Sequence, residues 1–61
     1  MKYNTMIVKR IENQEDRILL YGDNQAYHII ASKNLQIKTG DKIEYEPDGM
    51  NFGWFINKLS E

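Results

Sequence analysis

The segment Gly40-Asp41-Lys42-Ile43-Glu44-Tyr45-Glu46-Pro47-Asp48-Gly49, followed by Asn51-Phe52-Gly53-Trp54-Phe55, most constrains what this chain can fold into. Gly-Asp opens it and Pro-Asp-Gly interrupts it, and both are turn-forming combinations. Between them Ile43 and Tyr45 fall on one side of an extended strand, and Glu44 and Glu46 on the other. Glu46 to Gly49 fits a type I turn, with proline second and glycine fourth. Phe52 to Leu59 then reads as a returning strand. Phe52, Trp54 and Ile56 alternate on one of its faces, and Phe55, Asn57 and Leu59 on the other.

The rest of the chain follows the same grammar. Met6 to Ile11 is rich in apolar and β-branched residues and reads as a first strand. Asn13 to Asp16 is a polar break. Arg17 to Tyr21 is a second strand, and its unbroken apolar run implies cover on both faces. Gly22-Asp23-Asn24 turns the chain, and Ala26 to Ile30 returns as a third strand. Ser32 is placed to cap one short helical turn near 32–35, with Leu35 and Ile37 facing inward beyond it. No window of roughly 11 residues has helical periodicity. The expectation is an all-β fold: one domain over 1–61, a small five-stranded SH3-like or OB-like barrel that hides its sheet edges.

Size and composition narrow the function. A chain of 61 residues is near the lower limit for independent folding. It has no cysteine, which excludes disulfides, thiolate metal sites and cysteine nucleophiles, and its single histidine cannot build a multi-histidine metal site. Stability rests on apolar burial, with a homodimer as an available supplement. Net charge is −1, from 8 basic and 9 acidic residues. A dedicated nucleic-acid binder is usually basic, because phosphate neutralisation supplies most of its affinity. No apolar run approaches the roughly 20 residues of a membrane span, and the chain opens without a hydrophobic signal core. A soluble, cytoplasmic protein is expected, with no cofactor and no metal.

The pattern Gly40-Asp41-x-Ile43-Glu44-Tyr45-Glu46-Pro47-x-Gly49-x-Asn51-Phe52-Gly53-Trp54-Phe55 resembles the ending of short, uncharacterised small-barrel proteins of Gram-positive bacteria and their phages. Arg17-Ile18-Leu19-Leu20 and Tyr27-His28-Ile29-Ile30 are similar to their middle portion. The resemblance implies a bacterial or phage setting and brings no activity with it.

Two surfaces are candidates for function. Trp54 and Phe55 are adjacent, so they must face opposite ways. Trp54 alternates with Phe52 and Ile56 and is expected to be the more buried, leaving Phe55 as the contact ring. The first surface therefore comprises Tyr45, Phe52, Trp54 and Phe55 with the carboxylates of Glu44, Glu46 and Asp48. Those acids also suit a solvated, aggregation-resistant strand. The second comprises Tyr21, Tyr27, His28 and Trp54 as base-stacking rings, with Lys9, Arg10 and Arg17 for phosphates. His28 has no orienting carboxylate or nucleophile motif near it in sequence, and is more simply read as a half-buried, hydrogen-bonded residue. The expected function is a non-enzymatic module docking a protein partner in a bacterial or phage regulatory system. The alternative is a weak single-stranded nucleic-acid binder, disfavoured by charge.

Overall fold

The computed structural model describes residues 3–59. They form an all-β fold of six strands: β1 (Asn4–Ile7), β2 (Arg10–Asn13), β3 (Arg17–Tyr21), β4 (His28–Ser32), β5 (Lys42–Pro47) and β6 (Phe52–Lys58). One sheet holds them in the order β1-β5-β6-β4-β3-β2. Every neighbouring pair is antiparallel except β4 and β6, which run parallel through His28↔Phe52, Ile29↔Gly53 and Ile30↔Trp54. Among the described residues, no helix is long and apolar enough to cross a membrane.

The six strands correct the expected five. The first expected strand is one extended segment bent at Val8-Lys9 and divided between two partners. Its first half pairs with β5 and its second with β3. The two edges of the sheet are thus consecutive in the chain, which curls the sheet into a barrel-like shell. Three backbone hydrogen bonds hold the bend: Val8 N–H to the Asp41 carbonyl (2.9 Å), Gly40 N–H to the Val8 carbonyl (2.8 Å) and Lys9 N–H to the Tyr21 carbonyl (2.7 Å).

The Gly-Asp dipeptide therefore closes the shell. Gly40 has φ +96°, a conformation that costs an L side chain strain. Asp41 is 4% exposed. Its carboxylate accepts the Lys38 N–H at 3.0 Å and faces the Lys58 ammonium at 3.5 Å. A buried charge placed this way is satisfied by both a donor and a counter-ion.

The interior is one apolar cluster. Val8, Ile18, Leu20, Ile29, Ala31 and Ile43 are buried, with Met6, Ile11, Tyr27, Leu35, Ile37, Tyr45 and Phe55 packed against them. The helical turn expected near 32–35 is instead a single hydrogen-bonded turn. Leu35 N–H reaches the Ser32 carbonyl at 3.1 Å, and Asn34 N–H reaches Ser32 Oγ at 3.4 Å. Ser32 still belongs to β4, so only one turn fits before the chain extends to carry Leu35 and Ile37 to the core. The expected type I turn at Glu46–Gly49 also moves. Pro47 remains in β5 opposite Gly53, and Asp48 N–H closes the hairpin on the Phe52 carbonyl at 3.0 Å.

Candidate functional site

Strand register places the unusual side chains. Paired residues in neighbouring strands project to the same face. Arg10↔Tyr21, Tyr21↔His28 and His28↔Phe52 therefore make one row across the outside of β2, β3, β4 and β6. Glu12↔Leu19, Leu19↔Ile30, Ile30↔Trp54 and Trp54↔Glu46 make the next row, continuing onto β5.

The first row is a ladder of rings. The Arg10 guanidinium carbon lies 3.9 Å from the Tyr21 ring centre, a cation–π contact. Gln25 accepts from Arg10 Nε at 2.9 Å and anchors itself on the Gly22 carbonyl, so the guanidinium is held in place. Tyr21 and His28 are 6.1 Å apart between ring centres. His28 and Phe52 are 6.1 Å apart and nearly parallel at 20°. Phe52 meets Trp54 at 6.0 Å and 81°. The Tyr21 hydroxyl donates to Glu12 at 3.4 Å, and Glu12 also faces Arg10 at 3.6 Å. Tyr21 and Leu19 are buried although they project outward, so cover on both faces of β3 holds as its sequence implied.

Trp54 is 43% exposed, whereas Phe55 packs against the core. This reverses the expected roles of the two rings. The cause lies at Gly53 and Tyr45. Gly53 faces inward, where a Cβ would sit 2.7 Å from the Glu46 carbonyl and 2.9 Å from the Tyr27 hydroxyl. Phe55 shares that inward face and pairs with Tyr45, after a register shift between Glu44 and Tyr45. Trp54 carries an N–H that needs a partner, and finds one outside: Nε1 donates to the Asp48 carboxylate at 2.7 Å.

The first candidate surface is therefore split by the sheet. Phe52, Trp54, Glu44, Glu46 and Asp48 lie outside or on the turn, while Tyr45 and Phe55 pack inward. The second surface is largely assembled: Tyr21, His28, Arg10 and Trp54 come together, and Phe52 joins them. Tyr27 does not. It packs inward, edge-on to Tyr45 at 5.8 Å. Its hydroxyl is buried without a hydrogen-bond partner among the described residues. Burial, and then the nearby Tyr45 and Asp48, push its proton affinity above the ordinary tyrosine value of 10.0. Lys9 sits at the bend, and Arg17 at the other end of β3, bonded to Asp16 at 3.2 Å. That hydrogen bond and the Arg17 charge hold the Asp16 carboxyl below its usual value.

Beyond the rings, the face runs into a shallow groove of about 470 Å³ lined by Arg17, Ile30, Leu35, Trp54 and Phe55. It opens where β4 and β6 stop pairing, after Ile30↔Trp54. Leu19 and Ile30 were missed as site residues. The alternation of Ile30 with His28 was visible in the sequence, but the pairing that sets both beside Trp54 was not. Among the described residues, no group of three or more His, Asp or Glu is disposed to hold a metal ion. Compared with family models, curated proteins and solved structures, the chain matches none.

Proposed function

We propose that this protein is a non-enzymatic binding module, cytoplasmic and serving a bacterial or phage regulatory system, that docks a protein partner on the outer face of β3, β4 and β6. The observation that carries the reading is the row of rings Tyr21, His28, Phe52 and Trp54 set on the outside of the shell beside Leu19 and Ile30. Tryptophan, tyrosine and arginine dominate protein interfaces because each combines large contact area with a polar handle. The face is also electrostatically two-ended, with Arg10 on one side and Glu44, Glu46 and Asp48 on the other, which suits docking with a defined orientation. The bacterial or phage setting rests on the sequence resemblance.

An OB-like barrel is the finer fold reading. Counting β1 and β2 as one bent strand leaves five, in which the first pairs with the second and the fourth, and the third runs parallel to the fifth. OB barrels bind oligonucleotides and oligosaccharides on the face of their second and third strands, here β3 and β4, where the ladder lies. The fold analogy therefore speaks for the nucleic-acid reading below, and the protein-docking reading rests on the ring-bearing surface itself. The test is capture from source cells with the wild-type chain, Trp54→Ala, and the exposed control Gln36→Ala on the β4–β5 connection. A partner retained by wild type and Gln36→Ala but lost by Trp54→Ala supports the reading. A partner retained equally by all three removes this face from it.

A second reading, single-stranded nucleic acid, is favoured by the OB-like analogy and by a cation seated on the first ring of the row. Base stacking on such rings contributes about 1–3 kcal/mol per base. The carboxylates at the Trp54 end oppose it. Binding of a mixed oligonucleotide at physiological salt should be no tighter than a Kd of about 10⁻⁶ M. Nanomolar affinity with a steep salt dependence would put this reading first.

A further inference from the structure

Phe52 and Trp54 stand at 81° to one another with ring centres 6.0 Å apart, so they form two walls of a corner on the outer surface. His28 lies beside Phe52 on the neighbouring strand, its ring 6.1 Å away and nearly parallel at 20°. The indole is fixed in orientation by its hydrogen bond to the Asp48 carboxylate. Donation to an anion also enriches the indole π system, and tryptophan is already the best cation acceptor among the aromatic residues. Glu46 lies beside Trp54 in the same row, and Glu44 follows it on the same face of β5. Neither Glu44 nor Glu46 enters an ion pair among the described residues. Arg10, by contrast, already has Tyr21, Gln25 and Glu12 around it. The unused electrostatic capacity of the face is therefore negative, and it sits at the aromatic corner.

We infer that the corner of Phe52 and Trp54, rimmed by Glu46 and Asp48, binds the ammonium or guanidinium of a basic segment of the partner protein. Two rings at right angles with carboxylates on the rim match a side chain that is cationic at its tip and apolar along its stem. The adjoining groove of Ile30, Leu35 and Phe55 accommodates an apolar neighbour of that side chain. This inference rests on the protein-docking reading and adds the chemistry of the partner to it.

The test uses three probes of equal length: a lysine- and arginine-containing peptide with one leucine, its glutamate counterpart, and an oligothymidine. Binding is measured by calorimetry against wild type, Glu46→Gln/Asp48→Asn and Trp54→Ala, with urea unfolding to verify that each variant is folded. Both carboxylates are on exposed or half-exposed surface, so the double variant retains the fold. The basic peptide should bind, with affinity falling about five-fold or more in each variant and weakening with salt. No binding of the basic peptide overturns the inference. So does equal binding of the acidic peptide, or indifference to the double variant. Failure in those ways while Trp54→Ala still abolishes partner capture leaves docking on this face standing. Preference for the oligothymidine overturns both.

Discussion

Gly53→Ala tests the close approach on which the orientation of the aromatic strand depends. A Cβ at this position meets the Glu46 backbone carbonyl at 2.7 Å, the Tyr27 hydroxyl at 2.9 Å and Tyr45 Cδ2 at 3.1 Å. Ordinary contact begins at 3.4 Å, so the carbonyl must retreat by about 0.7 Å. It cannot swing aside like a flexible side chain, because Glu46 is paired with Trp54 in the sheet. Overpacking of this kind costs about 1–3 kcal/mol, and a backbone obstacle belongs at the upper end. Replacing glycine in a strand returns roughly 0.5–1 kcal/mol. The net loss should be about 2 kcal/mol, from the roughly 3–9 kcal/mol available to a domain of this size. That corresponds to a fall in Tm of about 8–16 °C. Gly22→Ala is the control, since its nearest obstacle is the mobile Met6 sulfur at 3.1 Å. Urea and thermal unfolding followed by circular dichroism should show Gly53→Ala clearly the weaker variant. If it is as stable as wild type, or no weaker than Gly22→Ala, the packing of β5 on β6 described above is wrong.

Phe55→Ala should cost about 3 kcal/mol and Trp54→Ala about 1 kcal/mol, because only the first ring packs against the core; urea unfolding by circular dichroism in the reverse order would return Trp54 to the interior. Asp41→Ala should cost about 2–3 kcal/mol by leaving the Lys38 N–H unpaired and loosening the closure at Val8, and thermal melts equal to wild type would remove that role. The proton on Tyr27 is held more tightly in the folded state than in the unfolded one, so its contribution is fully present below about pH 10 and is lost as pH rises through the folded value. Tyr27→Phe should therefore flatten the alkaline loss of stability, while changing stability at neutral pH by no more than about 1 kcal/mol, because the hydroxyl has no hydrogen-bond partner among the described residues.

What the sequence disclosed was local. Arg17 to Tyr21 matches β3, and the alternation of Ile43 and Tyr45 against Glu44 and Glu46 matches β5. Gly40, at φ +96°, does mark a turn before β5. The reversal between β3 and β4, however, falls at Asn24–Tyr27, where Tyr27 N–H meets the Asn24 carbonyl at 3.1 Å. That is later than the expected Gly22-Asp23-Asn24, so β4 begins at His28 and not at Ala26. What it concealed was non-local. The bend at Val8-Lys9 has no glycine or proline to announce it; it exists because two different strands claim the two halves of one segment. Alternation required Trp54 and Phe55 to oppose each other, but ring size pointed to the wrong one. The deciding facts were the space denied at Gly53 by the neighbouring backbone and the Asp48 carboxylate waiting for the indole N–H. The ladder itself depends on β4 lying parallel to β6, a pairing across the whole barrel that no local pattern encodes.

Trp54 is the sole tryptophan of the chain, so its fluorescence reports on the proposed docking face without interference from another indole. Acrylamide quenching of the free protein and of the protein saturated with its captured partner is the most direct measurement of the central claim. Quenching should be ready in the free protein, where Trp54 is exposed, and strongly reduced in the complex. A complex in which Trp54 stays as accessible as before would contradict that claim, since the partner would then be bound somewhere other than the ring-bearing face.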